Sequence, residues 1–284
     1  MGIGWTDGAI EADQAGELPV RVYRDSRSPR SAPLVFHLHG GAFCSGSLEV
    51  CETIPELLAE AGAVVVSADY PLAPEFQFPH ALRTIFGALK NLHKSRARWA
   101  SKVSRLFVAG EEAGGNLAAS LALMVRDQHA PDLAGQILLS PMLDPCLATT
   151  SIRSADAGPA GCKWADGWQH YLGSPDKAAH PYAAPSQSSR LSGLPPALIV
   201  SAQDDPMRDE SFDYATRLQE SGVAVRRHML TAPTAWPDAL CEGRPADSGW
   251  GTALRDQFIQ FFADSAARLR RPASRSLVQA SSQG

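Results

Sequence analysis

Two adjacent carboxylates, Glu111 and Glu112, stand among the glycines of GEEAGG at 110–115. This turn follows the apolar run 106–109 and precedes the helix-like stretch NLAASLALMV. A small-residue turn between a buried strand and a helix is where many enzymes hold a nucleophile. No Ser or Cys lies between these glycines. A carboxylate at such a tip has two chemical outcomes. Burial in an apolar cleft raises its pKa and suits it to moving protons. Acceptance of backbone N–H groups lowers its pKa, and the carboxylate then plugs the pocket in which an oxyanion would sit. Either outcome remains open from the sequence. Further groups able to do chemistry are His39, Gly40, Gly41 and Ala42 in HLHGGAF, Asp205 in DDPMRDE, the thiol of Cys44, and His170, His180 and His228.

The elements that position these groups alternate. PLVFHLH (33–39), AVVVSADY (63–70), RLFVAG (105–110), GQILLS (135–140) and PALIVSA (196–202) are nearly continuous apolar segments, as strands buried on both faces should be. Between them, ETIPELLAEAG, PHALRTIFGALKNLH and NLAASLALMVRDQ carry apolar residues at helical spacing, with Gly62 where a helix ends. AVRRHML (224–230) adds a strand, and GTALRDQFIQFFADSAARL a closing helix. The pattern predicts right-handed βαβ units and an α/β fold with a mostly parallel sheet flanked by helices. Residues 1–270 are expected to form a single domain. A cap insertion is expected at about 148–185, where Ser, Pro, Gly and Trp fit poorly as a sheet layer. The polar stretch 271–284 reads as a disordered tail.

With 284 residues the chain can bury a sizeable core. Its composition, 44% hydrophobic and 20% charged with a net charge of −4, offers no electrostatic case for nucleic acid or an anionic membrane. The five cysteines, Cys44, Cys51, Cys146, Cys162 and Cys241, are odd in number and contain no C-x-x-C pair. They read as reduced thiols of a cytoplasmic protein rather than as a disulfide or zinc framework. No 18-residue apolar run and no basic-then-apolar leader occurs, so neither a membrane span nor secretion is expected. MGIGWT matches the short myristoylation pattern, with the bulky Trp5 inside it, and is read as coincidence.

Four stretches together resemble the hormone-sensitive-lipase-like (carboxylesterase-like) branch of the α/β-hydrolases. HLHGGAF is similar to its His-Gly-Gly-Gly oxyanion loop, and DYPLAPEFQFPHAL (69–82) to its Asp-Tyr-x-Leu-Ala-Pro-Glu segment. GEEAGGNLA resembles its Gly-Asp-Ser-Ala-Gly-Gly-Asn-Leu-Ala elbow, and LSGLPPALIVSAQDDPMRDES (191–211) the strand that delivers the triad acid. The resemblance runs from about residue 18 to 262 and implies an α/β-hydrolase fold with a reduced helical cap. It also implies that Glu112 stands at the nucleophile, Glu111 at the preceding Asp, Ala42 at the third glycine and Asp205 at the acid. The histidine would fall at Ala235, in TAWP; His228 lies about seven residues early and is a poor substitute. Gly40, Gly41 and Ala113 would supply the oxyanion-hole N–H groups, and His39 would brace their loop. Cys44, His170, His180, Trp164, Trp168 and Tyr171 read as packing.

Acyl transfer needs a hydroxyl activated by imidazole, and the implied site has neither. The leading expectation is therefore a non-hydrolytic lyase, isomerase or cyclase of specialised biosynthesis. Glu112 would be its acid/base, acting on a hydrophobic carbonyl-bearing small molecule. A second expectation is a ligand-binding pseudo-hydrolase, and a third a carboxylesterase with an altered nucleophile. Neither a metal constellation nor a Gly-rich phosphate loop is seen, so no metal and no cofactor are expected. Relatives of this branch often pair through edge strands, which makes a homodimer an expectation.

Overall fold

The five apolar runs become the centre of an eight-stranded sheet. The computed structural model describes residues 2–155, 159–241 and 249–270; the expected tail at 271–284 lies outside them. Strand order is β1 (Ile3–Glu11), β2 (Glu17–Asp25), β4 (Val64–Ala68), β3 (Leu34–Leu38), β5 (Leu106–Glu111), β6 (Gly135–Leu139), β7 (Ala197–Ala202) and β8 (Val225–Leu230). β1 and β2 run antiparallel to each other, and β2 antiparallel to β4. The remaining pairs are parallel, as right-handed crossovers through helices require.

Both faces of the central strands are covered, and side-chain alternation divides them between two cores. Leu34, Phe36, Leu38, Val64, Val66, Leu106 and Val108 join one cluster; Val35, Val65, Phe107 and Ala109 join the other. The first face is packed by α2 (His80–Lys94) and α4 (Glu112–Gln128), and the second by α1 (Thr53–Glu60) and α8 (Gly249–Arg270). α3 (Arg96–Trp99) follows α2, and α7 (Arg208–Glu220) follows β7. Residues 148–185 hold α5 (Thr150–Ser154), α6 (Pro159–Leu172) and a 3-10 turn at Pro175–Ala179, and contribute no strand among the described residues.

The β1–β2 hairpin left no apolar run to find, because most of β1 is exposed and Trp5 is half-exposed. What secures it is Arg21. The guanidinium is buried against Trp5, bonds Asp7 at 2.8 Å and Glu52 at 2.9 Å, and donates to the Leu48 carbonyl at 3.2 Å. One cation thereby ties the hairpin to the chain entering α1.

The glycines of the 110–115 turn answer a steric demand. A Cβ on Gly114 would lie 1.9 Å from the Leu38 carbonyl oxygen, and one on Gly110 would lie 2.3 Å from the Gly114 oxygen. Only glycine lets α4 begin this close to the crest of β3. Cys51 and Cys241, 190 residues apart, are joined by a disulfide, while Cys44 and Cys146 are free. This corrects the reading of all cysteines as reduced thiols. The two join because the chain entering α1 and the turn after β8 converge on the same rim, a proximity that spacing does not encode. No helix among the described residues is long and apolar enough to cross a membrane.

Replacing Gly114 by Ala is expected to cost about 3 kcal/mol or to prevent folding, since backbone on both sides must move. Chemical denaturation beside Gly4→Ala, whose Cβ would meet open space at an ordinary backbone angle, checks this; equal losses would refute the steric account.

Candidate functional site

Glu112 is the first residue of α4 and has φ +52°, a left-handed backbone conformation that raises its side chain above the sheet. Its carboxylate is almost wholly buried and fully engaged. Oε2 accepts the N–H groups of Gly41 at 2.5 Å and Ala42 at 3.1 Å. Oε1 accepts the indole N–H of Trp164 at 2.7 Å and lies 3.3 Å from the Lys163 ammonium. Lys163 also reaches Asp238 at 2.9 Å. Partial burial works against the Lys163 charge, but Glu112 and Asp238 more than offset it and hold its pKa above the ordinary value. Among the two outcomes open from the sequence, the geometry is that of a carboxylate filling an anion pocket.

The donors differ from expectation at one point. The N–H of Gly40 does not face Glu112; it donates to Glu111 Oε1 at 3.0 Å. The pair aimed at Glu112 is Gly41 and Ala42. Ala113 follows Glu112, buried, in the first turn of α4. Glu111, the last residue of β5, holds His37 Nε2 with its second oxygen at 2.8 Å, and His37 Nδ1 meets Ser67 Oγ at 2.9 Å. A ring that donates from Nε2 and accepts at Nδ1 suits both contacts.

His39 is a brace. Its Nδ1 lies 2.8 Å from the Gly40 carbonyl, its ring stacks on Tyr70 at 4.4 Å, and Tyr70 donates to its own carbonyl at 2.7 Å. Burial holds its pKa below the usual value, as suits a neutral ring. Asp205 is buried after β7 and surrounded by donors: Ser140 at 2.8 Å, the Met207 N–H at 2.9 Å, and Ser201. No imidazole is among them. The neighbouring Asp204 accepts the Thr234 N–H at 2.6 Å and the Ala235 N–H at 3.2 Å, and thereby fixes the loop after β8. His228 sits in the body of β8 opposite Val200.

The stretch 148–185 contributes more than packing. Trp168 and Tyr171 do pack on Phe43, with Tyr171 stacked at 4.0 Å. Trp164, however, is a ligand of the Glu112 carboxylate, and neither it nor Lys163 carries any local signal of that role. His180 packs between Phe78 and Tyr182. The exposed His170 places Nδ1 3.6 Å from Cys44 Sγ; burial and the nearby Asp166 push that thiol up. A cleft of about 140 Å³ opens beside Glu112, walled by Gly40, Gly41, Cys51, Glu111, Lys163 and Cys241. Cys51, Glu111 and Cys241 have ligand atoms within 4.8 Å of one another, the one such group among the described residues.

Comparison with known proteins supplies the chemical context. A family profile described as alpha/beta hydrolase fold matches residues 35–232. The chain is 35% identical to carboxylesterase NlhH of Mycobacterium tuberculosis over 225 residues, covering 75% of this chain and 69% of the relative. It is 33% identical to an arylesterase of Saccharolobus solfataricus over 211 residues, covering 73% and 68%. The solved esterase LipW from Mycobacterium marinum superposes with a TM-score of 0.81 at 33% identity, over 93% of this chain and 82% of that one. These relatives overturn the expectation of a non-hydrolytic lyase, isomerase or cyclase of specialised biosynthesis, because the proteins this chain is similar to are ester hydrolases. The geometry adds a physical reason: a carboxylate held by two N–H groups, an indole and an ammonium is poorly placed to shuttle protons.

Two buried acids generate a pH dependence. Burial pushes Asp205 above the carboxylate range, with Ser201, Ser140 and Met207 working against the shift. Burial pushes Glu210 well above it, and the Leu143 N–H offsets only part. A raised folded pKa stabilises the fold below the ordinary carboxylate range, and that stability is lost as pH rises through the raised value. Glu210→Gln should therefore shrink the stability loss between pH values of about 5 and 8. Urea denaturation at the two pH values measures it; an undiminished loss would exclude Glu210 as the source.

Proposed function

Because the chain belongs to this family of the α/β hydrolase fold, we propose that it is a carboxylesterase-type protein with an altered nucleophile. Its site is built for a carboxylic ester and closed in this chain by Glu112. The observation that carries the reading is the pair of N–H groups, Gly41 and Ala42, converging on one oxygen of Glu112. Such a pair binds the oxygen of an ester carbonyl and stabilises the anion formed when the carbonyl is attacked. A charged, tethered carboxylate outcompetes a neutral carbonyl for the same donors.

In this reading Glu112 occupies the serine position of the family elbow. Its φ of +52° and its place between β5 and α4 are those of a residue held up for attack. Ala235 occupies the histidine position. Support comes from the loop after β8, whose Thr234 and Ala235 are tethered to Asp204, next to the acid Asp205. A ligand of this site would be an ester of modest acyl size, since the cleft beside Glu112 is small. Such a molecule reaches the Gly41 and Ala42 donors only when the Glu112 carboxylate swings away.

A second reading, holding a ligand without turnover, is favoured by one observation. The Asp205 oxygens are taken by Ser140, Ser201 and the Met207 N–H, so the acid has no imidazole to orient.

Restoring both groups distinguishes the readings. The double variant Glu112→Ser with Ala235→His should cleave p-nitrophenyl acetate at least ~100-fold faster than the unaltered chain. Either single change should give much less, because a triad works as a unit. A folded double variant without ester turnover would overturn the ester-site reading. In the unaltered chain, slow turnover that Glu112→Gln abolishes would establish the carboxylate as the working nucleophile. The absence of any turnover, together with binding of a non-hydrolysable ester analogue, would establish the ligand-holding reading.

A further inference from the structure

The wall of the cleft opposite Lys163 carries three soft or anionic donors that the ester reading does not use. Cys51 lies on the chain entering α1, Cys241 follows the 3-10 turn Asp238–Leu240 after β8, and Glu111 ends β5. Their ligand atoms lie within 4.8 Å of one another. Cys51 and Glu111 are each 1% exposed, and Cys241 is half-buried on the cleft side. The Glu111 carboxylate is already oriented. His37 Nε2 holds its far oxygen at 2.8 Å, while the oxygen turned toward Cys241 receives the Gly40 N–H. An imidazole or backbone group that fixes a carboxylate from behind is how metal-ligating carboxylates are supported.

We propose that reduction of the Cys51–Cys241 disulfide turns this cluster into a binding site for a thiophilic divalent cation, with Zn²⁺ the best chemical match. Its ligands are the Cys51 and Cys241 thiolates and the Glu111 carboxylate. The sulfurs of a disulfide share their bond with each other and bind metals weakly. A dithiol such as dithiothreitol supplies two electrons and two protons, giving two protein thiols and the cyclic disulfide of the reductant. Binding of Zn²⁺ then displaces the two thiol protons to buffer, so the metal site and the covalent bond exclude one another. Two thiolates select zinc-like ions over Mg²⁺ and Ca²⁺, which prefer oxygen. Three protein donors leave one tetrahedral position, and the cleft that all three residues line can admit a water to it. The proposal does not depend on the ester reading of the same cleft, because it is read out without any substrate.

The test uses the full chain, oxidised and dithiol-reduced, desalted without oxygen and titrated with Zn²⁺ and Co²⁺. The reduced chain should bind roughly one Zn²⁺ and the oxidised chain none above background. Bound Co²⁺ should show thiolate-to-metal charge-transfer absorption. Cys51→Ser and Cys241→Ser should each weaken Zn²⁺ binding at least ~10-fold, and Glu111→Gln by a similar factor with the thiolate band retained. Cys44→Ser, which alters a free cysteine elsewhere, should change nothing. X-ray absorption on the reduced, zinc-loaded unaltered chain needs no variant and should show two sulfurs at about 2.3 Å with lighter oxygen donors. A reduced chain that takes up no zinc would overturn the proposal. So would binding that survives Cys241→Ser, or a zinc shell without two sulfurs.

Discussion

Two backbone N–H groups that meet at one oxygen govern the organisation of this molecule. Such a pair cannot be left empty beneath a cap without cost, because an unsatisfied buried donor forfeits its hydration. The chain fills it from within. The sharp turn between β5 and α4 lifts Glu112 into the Gly41 and Ala42 donors. The remaining oxygen then recruits Trp164 and Lys163 from the cap. The β5–α4 turn, the Gly41–Ala42 loop and α6 are thus joined through a single side chain. A non-glycine residue at positive φ stands here where its carboxylate makes contacts with Gly41, Ala42, Trp164 and Lys163.

Around that point the fold supplies rigidity more than chemistry. Glycines at 110 and 114 let α4 press against β3, His39 and Tyr70 stack behind the loop, and Arg21 fastens the outer hairpin to the chain entering α1. Asp205 is a buried acid met by hydroxyl and backbone donors, whereas buried Glu210 accepts the Leu143 N–H with one oxygen and leaves the other without a partner. Their environment is that of structural groups. The Gly41 and Ala42 N–H pair is occupied by the chain's own carboxylate.

Much of this was readable in the residues. The five central strands are continuous apolar runs because both faces are covered, and each was placed to within a residue or two. The elbow was legible because steric crowding permits only small residues there, and GEEAGG states that demand in its composition. The edge hairpin was not legible, since an exposed strand such as β1 follows no apolar pattern and its anchor, Arg21, is a single charge. Trp164 and Lys163 were hidden for a different reason. Their role depends on where a cap helix lands, which no local periodicity records. The Gly40 N–H turned to Glu111, not Glu112, because the chain leaves β5 for α4 between the two glutamates and Glu112 takes a left-handed backbone angle, a divergence that appears only in three dimensions. The Cys51–Cys241 pairing spans 190 residues and escapes any reading by spacing.

The ammonium of Lys163 touches Glu112 at the start of α4 and Asp238 on the turn after β8 while belonging to α6. One flexible stem thus spans three walls. A partly exposed ion pair of this sort is weak and screened by salt, so this tie between three parts of the chain slackens as ionic strength rises, while the N–H and indole contacts of Glu112 do not depend on it.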